Sequence, residues 1–332
     1  MPSSRARAMR WLKRAGPPVL GLAATGAVVF VLDPAHVGHA LGGFRLALIP
    51  GIVLLYVLIF VLQGVRWHYL LGDAGARLRV WDSVLLNAAG QTITALVPLG
   101  DLTRAAFASQ ASGQEFGTLA ATVTVQELTY NLMLVLCALP VLLAFHLGVE
   151  VIVITVIGMA AVVVILTVSP VFHLVHRGIV HIPLLNRLLP AIDELQEETA
   201  TLLHRPDVLA LSVLDLGRAV VSITVFWLIV QGLSPGGLDW SKAGFVLALS
   251  SIGGAISLIP GGVGANEASV AGLLVVFGVA GGSAGAAALV QRFLLSVMAV
   301  ALGLAAYALV RRRFHLGGVF QVTARQPRAA PD

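Results

Sequence analysis

Six apolar runs follow one another along this chain: Pro17 to Leu32, Leu46 to Val65, Thr118 to Phe145, Val151 to Leu174, Val208 to Gln231 and Ala284 to Val310. Segments of this kind have one common home, because a helix needs about 20 apolar residues to cross roughly 30 Å of hydrocarbon. Composition agrees: 58% of the residues are hydrophobic and only 11% are charged, against about a quarter charged in soluble domains. The expected fold class is an all-α polytopic membrane protein with about six full transmembrane helices. The first run follows a basic flank, as in a signal peptide. The stretch after it, "DPAHVGHALGG", offers only a weak small-residue cleavage site, so it is read as an uncleaved span.

The net charge of +5 comes from basic residues gathered at the ends, Arg5, Arg7, Arg10, Lys13 and Arg14 at one and Arg311, Arg312 and Arg313 at the other. Such flanks anchor a membrane protein on its cytoplasmic side and touch anionic lipid; nucleic acid is not expected as a partner. With both termini inside, Arg66, Arg77, Arg79, Arg177, Arg187 and Arg205 also fall inside, and the short loops 33–45, 146–150 and 232–242 fall outside. The positive-inside rule is then met at every loop. Trp67, Trp81, Trp227 and Trp240 lie near span ends, where indoles mark the headgroup layer.

Two further apolar segments, 82–107 and 244–278, each reach a turn and then continue with charge. Leu96-Val97-Pro98-Leu99-Gly100 returns 162 residues later as Leu258-Ile259-Pro260-Gly261-Gly262, and "VQELTYNLM" from Val125 returns 165 residues later as "VQRFLLSVM". Matches at nearly one spacing indicate an internal repeat. On the charge-based orientation the first broken segment enters from inside and the second from outside, so the halves are inverted and each segment is a re-entrant helical hairpin. Backbone that is not helical at such depth requires protein or a water-filled space to satisfy its amides. Pro98, Gly100, Pro260, Gly261, Gly262 and Gly264 would make these turns. The alternative topology has 243–259 and 265–280 each crossing. The organisation is thus a basic N-terminus (1–14), a first membrane repeat (15–175), a cytoplasmic amphipathic connector (176–206), a second repeat (207–312) and a cytoplasmic tail (313–332).

Charges in a membrane interior are costly, about 2.5 to 3.5 kcal/mol each on insertion scales, so each is a functional hypothesis with a partner to name. Four stand out: Arg104, Glu127, Glu267 and Arg292. On one reading they form two structural salt bridges that lock the halves together. On the other, an arginine binds the phosphate of a lipid headgroup through its forked donors, Arg104 first and Arg292 second, helped by the half-helix N-termini after the turns. Asp101 is placed to cap the half-helix carrying Arg104 or to pair with it. Asn87 and Gln91, a turn apart, face the neighbouring backbone, and Asn266 adjoins Glu267. His173, His176 and His181 lack metal-site companions, and the single cysteine, Cys137, has no partner, so neither a metal nor a cofactor is expected. No phosphate-binding loop, nucleophile elbow or Cys/His arrangement is present to make a catalytic residue.

The stretches P-x-G-D-x-x-R-A at Pro98 to Ala105 and P-G-G-[VL]-G-x-x-E at Pro260 to Glu267, with an acidic residue in the crossing after the first and an arginine in the last crossing, resemble the lysylphosphatidylglycerol synthase transmembrane region, a flippase-like family. The resemblance covers about residues 15–312. It implies roles for Arg104, Glu267 and Arg292 in or near a lipid-headgroup pathway. Where many members carry a Glu-Arg pair in the middle crossing, this chain has Gln126-Glu127. Only a short tail follows Arg313, so lysyl-lipid synthesis is not expected of this chain. The resulting expectation is a multi-pass protein of the bacterial inner membrane. It would move or bind an anionic phospholipid or polyprenyl-phosphate-linked lipid between leaflets, without ATP hydrolysis of its own and with an oligomer left open. The alternatives are an intramembrane lipid-modifying enzyme using Glu127 or Glu267, and a non-catalytic partner of lipid or hopanoid synthesis.

Overall fold

The computed structural model describes Phe30, residues 34–94, 102–144, Thr201, 205–256 and 264–314. Among them every regular element is helical. In chain order they are α1 (Pro34–Gly42), a 3-10 turn (Leu46–Leu48), α2 (Ile49–Asp73), α3 (Val80–Thr94), α4 (Leu102–Ser112), α5 (Phe116–Ala144), the short α6 (Pro206–Ala210), α7 (Val213–Leu233), α8 (Trp240–Ile256), α9 (Ala265–Val276) and α10 (Gly281–Phe314). Among the described residues four segments are long and apolar enough to cross a membrane: Leu46–Asp73, Phe116–Val141, Pro206–Leu233 and Gly281–Phe314. They coincide with four of the six expected crossings, and the chain is an all-α polytopic membrane protein. The expected crossing 151–174, and 17–32 apart from Phe30, lie outside the described residues. So do nearly all of the connector, both termini, Asp101, and the turn residues Pro98, Gly100, Pro260, Gly261 and Gly262.

Two local expectations are corrected. The expected outer loop 33–45 contains α1, which packs against α10. A Cβ on Gly282 would lie 2.9 Å from the His36 carbonyl oxygen, so glycine permits that approach. Helix α2 does not stop near Val65; it runs on to Asp73 and ends at Gly75, whose φ of +78° favours glycine. Arg66 and Trp67 therefore sit on this helix inside the bundle, each 0% exposed, and not in a loop. The Trp67 indole donates to Thr122 Oγ1 at 2.8 Å, which satisfies its N–H away from water.

The order of α2 to α5 returns in α7 to α10: a long helix, two shorter helices packed arm against arm, then another long helix. Glycines open both arm-to-arm contacts. A Cβ on Gly90 would lie 2.6 Å from Arg104 Cβ, and one on Gly253 would lie 2.8 Å from Ser269 Oγ. The spacing from Gly90 to Gly253 is 163 residues, the same as from Arg104 to Glu267. The halves interleave, α3 packing on α10 while its counterpart α8 packs on α5.

The apolar core is split in two. One cluster gathers Ile52, Tyr56 and Phe60 of α2 with Leu134 and Ala138 of α5 and the inner faces of α7 to α10. The other gathers Trp67, Leu70 and Leu71 of α2 with Leu119 to Val125 of α5, Phe107, Val208 and the far end of α10. Between them, on three crossing helices at once, lies a polar layer: Gln63 and Arg66 on α2, Gln126 and Thr129 on α5, Asp215 and Arg218 on α7, all buried. Glu127 stands 11 residues into α5, about 16 Å along the axis at 1.5 Å per residue. That is about half of the roughly 30 Å hydrocarbon thickness.

Candidate functional site

Arg104 is the third residue of α4 and is 0% exposed. Because α3 passes against the backbone of α4 at Gly90, the guanidinium reaches both α3 and α5. Its Nη1 donates to Asn87 Oδ1 at 2.8 Å and to Gln126 Oε1 at 2.9 Å, and its Nη2 to Glu127 Oε1 at 2.7 Å. Gln63 knits the surrounding oxygens together. Its amide nitrogen donates to Glu127 Oε1 at 3.0 Å, while its Oε1 accepts from Asn87 at 3.2 Å and Gln91 at 3.5 Å. Its backbone carbonyl accepts from Gln126 Nε2 at 2.7 Å. Asn87 also donates to the Phe60 carbonyl at 3.4 Å, the facing-backbone contact expected of it.

A second arginine, from the other half of the chain, reaches the same carboxylate. Arg218 on α7 lies 3.3 Å from Glu127 Oε1 and 3.4 Å from Oε2, and its guanidinium carbon is 3.8 Å from the Tyr130 ring centroid. The Arg218 side chain is 11% exposed and that of Glu127 28%, against 0% for Arg104. The opening of the cluster is therefore on the Glu127–Arg218 side. One carboxylate faces two guanidinium groups, so the trio carries one net positive charge that no further carboxylate among the described residues pairs with.

One helical turn away sits a neutral pair. Arg66 Nε donates to Asp215 Oδ2 at 3.0 Å, both side chains being 0% exposed. Arg66 Nη2 donates to the Val208 carbonyl at 2.9 Å and Thr129 Oγ1 to Asp215 Oδ2 at 2.7 Å. This pair joins α2 to α7, the counterpart long helices of the two halves.

In the second half Glu267 accepts from the Gly264 N–H at 2.5 Å, closing the start of α9, where Gly264 has φ +85°. The Arg292 Nε lies 3.4 Å from the other carboxylate oxygen, and the Arg292 side chain is 30% exposed. Asn266 Oδ1 is buried and without a hydrogen-bond partner among the described residues.

Of the residues picked from sequence, Arg104, Glu127, Asn87 and Gln91 come together, and Glu267 pairs with Arg292. The two salt bridges foreseen thus form, but each lies within one half and does not lock the halves together. Among the described residues the halves are tied in the polar layer by Arg218–Glu127 and Arg66–Asp215, which the sequence reading missed, and at the far end of α10 by Arg313–Asp82 at 2.8 Å. Asp215 and Arg218 stand three apart, on one helix face, inside the run Val208 to Gln231. That intramembrane charge pair was the signal available. Among the described residues no group of three or more His, Cys, Asp or Glu is placed to hold a metal ion.

The family model of the lysylphosphatidylglycerol synthase TM region matches residues 19–303. A curated relative, a UPF0104 membrane protein of Methanothermobacter thermautotrophicus (strain Delta H), is 45% identical over 65 residues, which is 20% of this chain and 20% of that protein. The match thus spans about a fifth of the relative's length. By the family match, which takes in the helix pairs, the polar layer and most of α10, this chain belongs to the family of the lysylphosphatidylglycerol synthase transmembrane region.

Proposed function

We propose that the protein is a flippase-like transporter that carries an anionic phospholipid or polyprenyl-phosphate-linked lipid between the leaflets of the bacterial inner membrane, with both termini cytoplasmic. The observation that supports this reading most is the polar layer. Two arginines share one carboxylate about midway along a crossing helix, between two apolar clusters that would otherwise form a single core. A purely structural protein has no need of uncompensated charge at that depth, where it is costly. A passing anionic headgroup needs a station of that sign there. The helix pairs α3/α4 and α8/α9 are read as re-entrant hairpins entering from opposite faces, so that the halves form an inverted repeat around the station, an arrangement suited to alternating access. Arg104, Glu127, Asn87 and Gln91 line the station from the first half. In the second half Glu267 and Arg292 hold the positions of Arg104 and Glu127, with Asn266 beside Glu267.

The test is leaflet-resolved. The full chain is reconstituted into liposomes carrying a trace of fluorescent phosphatidylglycerol, and the fraction open to an external quencher is followed with time. Faster exchange than in protein-free vesicles is expected, with little acceleration for the analogous diacylglycerol. Equal rates with and without protein, for both phosphatidylglycerol and a polyprenyl phosphate, would refute the reading.

A further inference from the structure

The three arginines of the polar layer are not equivalent. Arg66 is neutralised by Asp215 and capped by a carbonyl, with no exposed surface. Both terminal nitrogens of Arg104 are engaged by three side-chain oxygens at 2.7 to 2.9 Å. To bind anything else it would have to dismantle the contacts that hold α3, α4 and α5 together. Arg218 differs in its contacts and in its exposure. Each arginine has one nitrogen without a hydrogen-bond partner among the described residues, but only Arg218 has long contacts to its carboxylate, 3.3 to 3.4 Å, and a place on the open side of the cluster. One face of its guanidinium is stacked on Tyr130, which fixes the plane while leaving the donor-bearing edge to be shared.

We infer that Arg218 is the residue that receives the lipid phosphate, that Glu127 occupies its edge as an internal counter-ion until the headgroup arrives, and that the ligand is a singly charged phosphodiester. Arg104 is then a positioning residue that holds Glu127 in place. This assignment, which rests on the transport reading, moves the phosphate ligand from Arg104, the sequence-based choice, to a residue of the second half. The ligand class follows from charge. The trio Arg104, Arg218 and Glu127 has one positive charge in excess. A phosphodiester carries one negative charge and brings the buried cluster to neutrality, whereas a phosphomonoester with up to two overshoots. A guanidinium edge presents two parallel N–H groups to two phosphate oxygens, which shorter, charge-assisted bonds favour over the long contacts to Glu127.

The experiment measures apparent Kd for the purified full chain by thermal stabilisation and native mass spectrometry, using dioleoylphosphatidylglycerol, dioleoylphosphatidic acid, dioleoylglycerol and inorganic phosphate as probes. The wild type is expected to prefer phosphatidylglycerol over dioleoylglycerol by about tenfold or more, the range of one charge-assisted hydrogen-bonded contact. Inorganic phosphate at the same concentration should have no effect. Arg218→Gln should bind phosphatidylglycerol no better than dioleoylglycerol while the lipid-free protein keeps its Tm, because Arg104 still pairs with Glu127. Glu127→Gln keeps an oxygen for Arg104 and raises the excess to two charges, so its preference should move toward phosphatidic acid. The assignment is overturned if Arg218→Gln binds phosphatidylglycerol as the wild type does, if Glu127→Gln leaves the lipid preference unchanged, or if inorganic phosphate protects as well as the lipid. If Arg218→Gln binds normally but the wild type still exchanges phosphatidylglycerol between leaflets, only this assignment falls. If the wild type does not bind phosphatidylglycerol and exchanges neither it nor a polyprenyl phosphate, the transport reading falls with it.

Discussion

Gly90→Ala and Gly253→Ala form a matched pair whose outcomes should diverge, because the two glycines hold counterpart positions in the two halves but meet different atoms. A methyl group at position 90 would lie 2.6 Å from Arg104 Cβ, 2.8 Å from its Cα and 2.8 Å from its backbone nitrogen. None of these atoms can rotate away, so α3 and α4 must separate. A methyl group at position 253 would meet Ser269 Oγ at 2.8 Å and Ser269 Cβ at 3.6 Å. The hydroxyl can turn to another rotamer. Both changes gain about 0.5 to 1 kcal/mol of helix propensity. Against this, overpacking costs about 1 to 3 kcal/mol, and at position 90 the clash falls wholly on backbone and Cβ atoms, toward the upper end. The expected net effect is a loss of about 1 to 2 kcal/mol for Gly90→Ala and none, or a slight gain, for Gly253→Ala. Thermal unfolding of the detergent-solubilised chain should show a Tm fall of about 3 °C or more for the first and no fall for the second. Since Arg104 sits at the contact, Gly90→Ala should also weaken lipid-dependent stabilisation. Equal Tm values for Gly90→Ala and wild type would show that α3 and α4 do not approach through this glycine, and the positioning of Arg104 argued from it would fail.

Other changes probe the ionic ties and the topology. Asp215→Ala leaves Arg66 charged, buried and without its carboxylate, and should cost about 3 to 5 kcal/mol. Replacing both, as Arg66→Met with Asp215→Leu, should recover most of that Tm, and a double variant no better than the single would contradict the pairing. Glu267→Gln keeps an oxygen for the Gly264 N–H while Glu267→Ala loses it, so the alanine variant should be about 1 kcal/mol less stable than the glutamine one, read as a lower Tm. In a Cys137→Ser background, cysteines at the exposed positions Pro235 and Arg77 should label from opposite sides, Pro235 from outside intact cells and Arg77 only after permeabilisation. Labelling of both from the same side would refute the inverted orientation.

Much of the architecture is legible in the sequence because the bilayer imposes simple rules. Four apolar runs matched crossing helices since length and hydropathy alone decide them, and each of the two broken segments holds a pair of packed helices. Where the reading failed, burial against protein overrode the average. Arg66 and Trp67 follow the last residues of an apolar run and read as lying beyond the helix. Asp215 and Thr129 make Arg66 affordable inside the bundle, and Thr122 does the same for the Trp67 indole. Arg104 and Glu127 were visible because charges in apolar context are rare, but their pairing was not. Arg104 and Glu267 follow similar proline-glycine stretches of sequence, which hid the fact that each finds its partner on the next long helix of its own half. Arg218 and Asp215 went unread because the run that contains them is apolar on average.

An anionic headgroup that enters the polar layer is expected to take the place of Glu127 on Arg218. Cryo-electron microscopy of the full chain in phosphatidylglycerol nanodiscs tests it directly. The predicted result is phosphate density within about 3 Å of the Arg218 guanidinium, with Glu127 moved away from that edge and Arg104 unmoved among Asn87, Gln126 and Glu127. Lipid density confined to the outer surface of the helices, with Arg218 still facing Glu127 alone, would contradict it.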